Sequence, residues 1–242
     1  MKVASLCIAY KEERLIKHHL KHLEGKVDKA LVLVSESPYH QFEDGQPDRT
    51  GEIALKMGAD VVKGSWSVEH DQRNYGLSLL RMYDYVLVLD PDEFILEKDW
   101  NILLEGLEER VFKKPAYKAP SYVTYWKKGY VLDPTDTHKP LFLVNPREVT
   151  FEHYRGISSE VYDSPIQFPI HHMSWARTDE EMKKKLLTFS HAKEFNGMEW
   201  YERVWKTWTP LSTYLHPLTR EKWHQAIPYP VPVELQPIIE EI

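Results

Sequence analysis

The sequence has a single cysteine among its 242 residues, and this scarcity excludes two classes of protein. Cys7 has no partner for an internal disulfide, so the chain is not a disulfide-stabilised scaffold. A zinc site built from several cysteines is excluded for the same reason. We therefore expect a reducing compartment and predict a cytoplasmic location.

Long apolar runs are also absent from the sequence. The N-terminal apolar stretch covers only residues 3–9, and Lys11, Glu12, Glu13 and Arg14 follow it closely. Such a stretch is too short and too charged for a secretion signal or a membrane span. We expect no transmembrane segment.

Basic residues are outnumbered by acidic ones. Lys and Arg total 31 against 37 Asp and Glu, so the formal net charge is −6. A protein that holds nucleic acid needs a basic surface to neutralise phosphates. We expect no nucleic-acid partner, and a small anionic ligand would require a metal ion or focused arginines to compensate the negative charge.

The first half of the sequence alternates apolar runs with amphipathic segments. The short apolar runs predict buried strands, and the segments with apolar residues at helical spacing predict helices. Apolar strands that alternate with helices are typical of a mostly parallel sheet covered on both faces. The predicted strands are residues 3–9, 30–34, 59–62 and 85–89, and the predicted helices are residues 15–23, 51–57, 71–82 and 100–111.

The pattern changes after residue 112. Short aromatic and β-branched segments separated by Pro, Gly and Asp predict antiparallel strands. Thr178 and Glu181 have the spacing of a capping box and begin a helix predicted to reach residue 195. The proline-rich residues 228–242 are expected to lie extended on the surface or to be mobile. The predicted strands are residues 117–126, 130–132, 141–144 and 149–151.

The most informative residues follow the predicted strand 85–89. Ligands of open α/β sheets bind at the carboxyl ends of the parallel strands, and Asp90-Pro91-Asp92 places two carboxylates at such an end. Mg²⁺ and Mn²⁺ prefer oxygen ligands and are often shared between one or two carboxylates and substrate phosphates. A solvated acidic turn is the simpler alternative for an isolated Asp-x-Asp. Its position directly after a buried strand favours a metal site.

Three motifs, in this order, resemble those of the metal-dependent glycosyltransferases of GT-A fold, particularly the family 2-like enzymes. The resemblance covers residues 3–190, roughly, and Lys11 stands where that family usually has Asn. The first motif is similar to the family's Tyr-Asn-Glu-Glu turn, the second to its Arg-Asn-x-Gly helix start and the third to its Asp-x-Asp segment. They are Tyr10-Lys11-Glu12-Glu13, Gln72-Arg73-Asn74-Tyr75-Gly76 and Asp90-Pro91-Asp92-Glu93-Phe94.

The resemblance implies a Rossmann-like α/β fold: a mostly parallel central sheet flanked by helices, a smaller antiparallel acceptor-side sheet and C-terminal helices. Residues 1–112 would bind the nucleotide-sugar donor, linked to UDP, GDP or dTDP, and residues 113–227 would bind the acceptor. Residues 228–242 would form a C-terminal tail. The implied reaction transfers the sugar, with inversion, to a hydroxyl of a glycan, a lipid-linked acceptor or a protein. The location would be cytoplasmic, or peripheral at a membrane through the acceptor.

Donor cleavage leaves a nucleoside diphosphate, whose developing charge a bound Mn²⁺ or Mg²⁺ would stabilise as a Lewis acid. Asp92 is the first-choice metal ligand, and Asp90 would contact the metal through water or hold the ribose. Arg73 begins a helix whose N-terminal amides favour anions, so it suits the diphosphate, with a surface ion pair as the alternative. The residues that the resemblance assigns to the nucleoside are Ala9, Tyr10, Glu12 and Glu36.

Inverting transfer requires a base near the acceptor hydroxyl, usually a carboxylate. Residues 141–160 are similar to a stretch of bacterial relatives in which a basic strand precedes a His-Glu pair. Glu160 matches that Glu, while Ser159 stands in place of the His. Glu160 is the predicted base, and Glu152, Asp133 and Asp163 remain alternatives.

A histidine pair follows the predicted strands. His171-His172-Met173-Ser174-Trp175 resembles a His-x-Ser-Trp segment of relatives in which a histidine approaches the metal or the diphosphate. Adjacent residues of a strand face opposite ways, so only one of the two would face the site, and His172 is the predicted metal ligand. A hydrogen-bonded core histidine is the alternative.

Two other functions are compatible with the same pattern. A sugar nucleotidyltransferase shares the α/β sheet and an acidic metal site, but it usually has a Gly-rich basic loop after the first strand, which residues 10–13 do not form. A non-catalytic carbohydrate- or nucleotide-binding protein would keep the fold without turnover. The carboxylate pair argues against it, because a pure binder gains little from two uncompensated acids.

Overall fold

The structure, a computed structural model, describes residues 1–39, 47–135, 139–218 and 224–242. Its strands are β1 (Val3–Ala9), β2 (Lys29–Ser35), β3 (Asp60–Gly64), β4 (Tyr85–Val88), β5 (Glu93–Phe94), β6 (Ala116–Lys118), β7 (Ser121–Lys127), β8 (Tyr130–Asp133), β9 (Leu141–Val144), β10 (Pro169–His172) and β11 (Gln225–Pro228). Its α-helices are α1 (Glu13–Leu23), α2 (Thr50–Lys56), α3 (Glu69–Leu79), α4 (Glu97–Glu108), α5 (Asp179–Thr188), α6 (Gly197–Trp200) and α7 (Gln236–Glu240). A π-helix covers Tyr201–Trp205 and a 3₁₀ helix covers Val233–Leu235.

The chain divides into two units, each made of two stretches of sequence. The first unit contains residues 1–121 and 138–170, and the second contains residues 122–137 and 171–242. The sequence prediction of a donor half and an acceptor half is a functional division and stays a prediction.

The first unit is built on a six-stranded sheet with the order β3-β2-β1-β4-β9-β6. The β3-β2, β2-β1 and β1-β4 pairs are parallel, and the β4-β9 and β9-β6 pairs are antiparallel. The predicted mostly parallel α/β sheet is therefore confirmed. Strands β6 and β9 belong to this main sheet, and their residues Ala116, Leu141 and Val144 are part of its buried core.

The central strands are buried along their whole length. Every residue of β1 and of β4 is buried, as expected for strands that are covered on both faces. Helix α3 packs closely against β1 at Gly76, where an added Cβ would lie only 2.4 Å from Cδ1 of Leu6. Glycine at this position allows the close approach of helix and sheet.

The second unit contains β8, β11 and most of β7 of a smaller five-stranded sheet, in which β8 pairs antiparallel with β7 and with β11. The predicted smaller antiparallel sheet is confirmed. An aromatic core that includes Trp126, Trp175, Trp200 and Trp205 packs within this unit. The capping box at the start of α5 is confirmed, since Thr178 and Glu181 exchange both hydrogen bonds.

Three local predictions were wrong. Residues 149–151 form no strand, because the side-chain amide of Asn74 bonds the N–H and C=O of Phe151 in place of a neighbouring strand. Helix α5 ends at Thr188, short of residue 195. Residues 228–242 are not wholly an extended tail, because residues 233–240 form a short 3₁₀ helix and α7, which carry the buried side chains of Leu235, Ile238 and Ile239.

Among the described residues, no helix has both the length and the apolar character that crossing a bilayer requires.

Candidate functional site

The six-stranded sheet has a switch point between β1 and β4. From β1 the chain proceeds outward through β2 and β3, whereas β4 lies on the other side of β1. Ligands of open α/β sheets bind in the crevice outside the carboxyl ends of the strands at such a point. The residues that follow these two strands, Tyr10 after β1 and Leu89 and Asp90 after β4, therefore border the candidate site.

The acidic turn after β4 is closed by two hydrogen bonds. The N–H of Glu93 donates to the C=O of Asp90 at 3.0 Å, and the N–H of Asp90 donates to Oε2 of Glu93 at 2.9 Å. Asp92 and Glu93 are 5% and 3% exposed, whereas the Asp90 side chain retains 26% of its exposure. The turn therefore fixes three carboxylates at the carboxyl end of β4.

Arg73 of α3 binds this turn directly. Its Nη2 donates to both carboxylate oxygens of Asp90, at 2.9 and 3.0 Å, and to Oε1 of Glu69 at 2.8 Å. Burial favours a lower pKa for Arg73, but the charges of Asp90 and Glu69 outweigh it and raise the pKa. The Arg73 side chain is only 1% exposed, so Arg73 is a buried cation and does not belong to a surface ion pair.

One nitrogen of Arg73 makes no hydrogen bond to the described residues. Its Nη1 is buried and has no hydrogen-bond partner among the described residues. A buried unpaired donor costs about 1–3 kcal/mol, so a bound acceptor group would relieve this cost. Nη1 of Arg73 therefore has two N–H donors that no described residue uses.

Arg155 is the site residue that sequence reasoning missed. Its Nη1 donates to Oε1 of Glu93 at 2.6 Å and lies 3.5 Å from Oδ2 of Asp90. Its Nε and Nη2 donate to the C=O of Leu141 at 3.2 and 3.0 Å, and Nη2 also donates to the C=O of Val88. The last paired residues of β4 and β9 are Leu87 and Leu143, so both carbonyls lie beyond the end of this pairing. Arg155 therefore connects the two strands by hydrogen bonds where their backbones no longer pair. The only signal in the sequence was its place in the segment 141–160.

Helix α3 also positions the loop that carries Arg155. The Asn74 side chain accepts from the N–H of Phe151 and donates to its C=O, both at 2.8 Å. Within the loop, the N–H of Glu152 donates to the C=O of Gly156 at 3.0 Å. Adjacent residues of α3 thus bind Asp90 and the base of the Arg155 loop, so one helix aligns both arginines.

The predicted nucleoside residues lie at the ends of β1 and β2. Ala9 is buried, Tyr10 and Glu12 are half-buried, and the N–H of Glu12 donates to Oγ1 of Thr50 at 2.8 Å. Glu36 is exposed and directly follows β2. The structure therefore places Ala9, Tyr10, Glu12, Glu36, Asp90 and Asp92 at the same edge of the sheet. Their binding roles stay predictions.

Two buried groups lie close to the acidic turn. Burial raises the pKa of the Cys7 thiol, and the negative charges of Asp90, Glu12 and Asp92 add to this effect. Burial lowers the pKa of His19 to about 4, although its Nδ1 lies 3.3 Å from the C=O of Glu93. Since a carbonyl only accepts, we assign the proton of the neutral ring to Nδ1.

The remaining predicted site residues have contacts of their own. Glu160 is exposed and accepts a hydrogen bond from the hydroxyl of Tyr162, which raises the pKa of that tyrosine. The alternative base Glu152 accepts from the hydroxyl of Ser158. His172 belongs to the second unit, where its ring meets that of Tyr122 edge to face at 5.6 Å. The roles of Glu160 and His172 stay predictions.

The acidic turn fits a metal ion only if a bound ligand supplies part of the coordination. Asp90 and Asp92 offer hard oxygen ligands, but within the described ranges no group of three or more His, Cys, Asp or Glu side chains is arranged to hold a metal. Mg²⁺ is commonly held by one or two carboxylates together with substrate phosphates and water. The residues therefore suit a cation that arrives with, and is completed by, an anionic ligand.

Comparisons with known proteins give weak similarities. No protein-family model matches the chain. A TPR repeat-containing protein of Synechococcus elongatus is 27% identical over 110 residues, which are 45% of this chain and 25% of the relative. The chain thus spans about a quarter of the length of this curated relative.

Two solved structures align with part of the chain at low TM-scores. A mannosyltransferase from Pyrobaculum calidifontis, solved with GDP-Man and Mn²⁺, aligns with a TM-score of 0.41 and 14% identity over 60% of this chain and 44% of that chain. S. aureus TarS aligns with a TM-score of 0.36 and 18% identity over 52% of this chain and 22% of that chain. None of these similarities assigns the chain to a family.

Proposed function

We propose that the chain is a glycosyltransferase that takes a sugar from a nucleotide diphosphate sugar and transfers it to an acceptor hydroxyl with inversion. The observation that carries the proposal is the pair of buried arginines around the acidic turn at the switch point of the sheet. Such an arrangement combines cationic donors with hard oxygen ligands at the place where α/β sheets bind nucleotides.

Arg73 is the residue that we assign to the diphosphate. Its Nη1 is the buried donor without a partner among the described residues, and a hydrogen bond from a guanidinium to a phosphate oxygen is among the stronger kinds. Arg73 is already fixed by Glu69 and Asp90, so little side-chain entropy is lost when a phosphate binds.

Asp92 and Asp90 are the residues that would hold Mn²⁺ or Mg²⁺. The bound ion would stabilise the charge on the leaving nucleoside diphosphate. Both oxygens of Asp90 accept from Arg73, and both oxygens of Glu93 are bound, Oε1 by Arg155 and Oε2 by the N–H of Asp90. Glu93 therefore orients the turn, which leaves Asp92 as the principal ligand.

Glu160 is the residue that we assign to the acceptor. Its carboxylate is exposed to solvent, and such a carboxylate can accept the proton of an incoming hydroxyl. Ala9, Tyr10, Glu12 and Glu36 are assigned to the nucleoside because they lie at the ends of β1 and β2 on the same edge as Asp90. His172 is proposed as a further metal or diphosphate contact.

The test compares the thermal stability of the protein with UDP, GDP and dTDP, each with and without Mn²⁺. A ligand that binds only the native state stabilises it by mass action, about 2.7 kcal/mol at 100 times Kd. We expect one nucleoside diphosphate to raise Tm in the presence of Mn²⁺, and Asp92→Asn to abolish this shift. Asp71→Asn is the matched control, since it removes the same charge from α3 at a side chain that is 62% exposed.

Turnover distinguishes the proposed reaction from its alternatives. A glycosyltransferase releases a nucleoside diphosphate from the nucleotide sugar, whereas a nucleotidyltransferase releases pyrophosphate from a nucleoside triphosphate. A binding protein releases neither. If Asp92→Asn keeps full Mn²⁺-dependent donor hydrolysis or transfer, the proposed site is wrong.

A further inference from the structure

The second unit contains a pocket of about 230 Å³ that the proposed reaction does not use. It is smaller than the roughly 300–1,000 Å³ of pockets for drug-sized ligands, so its size suits a single ring. Its lining combines two aromatic residues and a valine with one acid and one base. They are Glu199, Trp200, Arg203, Val204 and Tyr214.

One wall of the pocket comes from a rare type of helix. Helix α6 continues into the π-helix Tyr201–Trp205, in which the N–H of Lys206 donates to the C=O of Tyr201 at 2.8 Å. The buried rings of Tyr201 and Trp205 stack at 5.4 Å, and Arg203 and Val204 of the same turn line the pocket. Isolated π-turns occur frequently at functional sites.

The opposite wall is Tyr214, whose backbone adopts the left-handed region with φ 54°. A bulky residue is rarely found there, and the conformation persists only when the surroundings impose it. Here Thr213 bridges to Gln225, and the buried Leu215 accepts a hydrogen bond from Nε1 of Trp200 at 3.0 Å. With both neighbours anchored, the Tyr214 side chain stays 49% exposed at the pocket.

The polar groups of the pocket are charged but balanced. Nη1 of Arg203 lies 2.9 Å from Oε1 of Glu199, and Nδ2 of Asn196 donates to Oε2 of the same carboxylate at 3.3 Å. A ligand in the pocket would therefore contact oriented donors and acceptors next to aromatic and aliphatic side chains. The ion pair itself contributes no net charge. A pyranose has the matching chemistry, since it combines an apolar C–H face with neighbouring hydroxyls.

We propose that this pocket is a binding subsite for a neutral saccharide, and that the acceptor of the proposed transferase is accordingly a glycan. The assignment of a glycan acceptor rests on the proposed function, whereas the saccharide site itself does not. Tyr214 supplies the face for the sugar ring, and Glu199 and Arg203 bind its hydroxyls.

The experiment measures the binding of methyl β-D-glucopyranoside, methyl α-D-mannopyranoside and N-acetylglucosamine by saturation-transfer NMR titration. Tyr214→Gly removes the aromatic face while retaining a residue that suits a positive φ, so the variant is expected to fold. Loss of an aromatic contact of about 1.5 kcal/mol weakens binding roughly tenfold. Tyr214→Phe keeps the ring and is expected to bind within about threefold of the unaltered protein.

Leu211→Ala is the control, because Leu211 is 91% exposed in the same segment and does not line the pocket. Saturable binding of at least one of the three sugars that is about tenfold weaker in Tyr214→Gly and unchanged in Leu211→Ala supports the subsite. The proposal is overturned if none of the glycosides binds, or if Tyr214→Gly binds as tightly as the unaltered protein.

Nucleotide binding separates this proposal from the proposed function. We expect Tyr214→Gly to keep the Mn²⁺-dependent thermal shift with the nucleoside diphosphate. Glycoside binding in a protein that binds no nucleotide would support the subsite and overturn the transferase. In an active enzyme, Tyr214→Gly is expected to raise KM for a glycan acceptor with little change in kcat, and an unchanged KM would overturn the acceptor role.

Discussion

At the scale of single residues, the candidate site depends on how two buried arginines and three carboxylates compensate each other. Arg73 binds Glu69 and Asp90, and Arg155 binds Glu93. A buried charge that loses its partner is far more costly than an exposed one, because solvent no longer replaces the missing interaction. The stability of the acidic turn therefore depends on the arginines before any ligand binds.

Arg155→Gln is expected to destabilise the protein by about 3–5 kcal/mol, because it leaves the Glu93 carboxylate, 2% exposed, without its cation. Urea unfolding followed by circular dichroism measures the change. The double variant Arg155→Gln, Glu93→Gln is expected to recover part of the loss. Arg49→Gln, which breaks a solvent-exposed pair with Glu13, serves as the control and is expected to change stability little. Equal effects at both arginines would contradict the described burial.

His19 predicts a specific pH dependence of stability. Its pKa is about 4 in the folded protein against an ordinary 6.5, so below pH 6.5 the unfolded chain takes up a proton that the folded protein excludes. The contribution of His19 is complete above pH 6.5 and is lost as the pH falls toward 4, by roughly 3 kcal/mol in total. Urea unfolding at a series of pH values measures this loss. His19→Asn is expected to show a shallower decline between pH 6.5 and 4, and an unchanged slope would refute the assignment.

At the scale of elements, α3 links the sheet to the site. It contacts β1 at Gly76, binds Asp90 through Arg73 and holds the Arg155 loop through Asn74. These three contacts explain why the helix has few apolar residues although it is partly buried. Its position is set by the close approach at Gly76 and by polar side-chain contacts, and not by a wide apolar stripe.

Gly76→Ala tests the close approach of α3 and β1. The added Cβ would lie 2.4 Å from Leu6 Cδ1 and 3.0 Å from Leu33 Cδ1, both in the buried core. Overpacking of this kind costs about 1–3 kcal/mol, which exceeds the roughly 1 kcal/mol that alanine gains over glycine in a helix. Thermal unfolding is expected to show a lower Tm.

Gly106→Ala in α4 is the matched comparison for this substitution, since its nearest neighbour would lie at 3.3 Å. Its Tm is expected to change less than that of Gly76→Ala. A higher Tm for Gly76→Ala than for the unaltered protein would show that the helix is not constrained at this point.

At the scale of the whole molecule, the chain forms two units that each draw on separate stretches of sequence. The last fifteen residues are part of the folded second unit, since Leu235, Ile238 and Ile239 are each no more than 2% exposed. Proline enrichment predicted an extended or mobile segment, and it failed because proline also begins helices, as Pro237 does at the start of α7.

Ile238→Ala is expected to lower the stability of the protein by about 2–5 kcal/mol, because the side chain is buried and leaves a cavity. Val233→Ala, at a neighbouring residue that is 78% exposed, is expected to have little effect. Urea unfolding measures both. Equal small changes would indicate that residues 233–242 do not contribute to the core.

The sequence by itself determined the alternation of strands β1 to β4 with helices α1 to α4. Short continuous apolar runs such as residues 3–9 and 85–89 favour strands buried on both faces, so they indicate a parallel sheet without knowledge of any contact. The same local reasoning found Asp90, Asp92 and Arg73, because strand ends and helix starts are visible in the pattern of residues.

Only the tertiary structure decided what these residues contact. Arg155 lies 62 residues from Glu93, and no local pattern encodes a bond over such a separation. The loop at Phe151 has the composition of a strand, yet Asn74, 77 residues away, takes the place of its partner. Local propensities follow from the residue and its near neighbours, whereas pairing of charges and filling of pockets depend on which distant segments folding brings together.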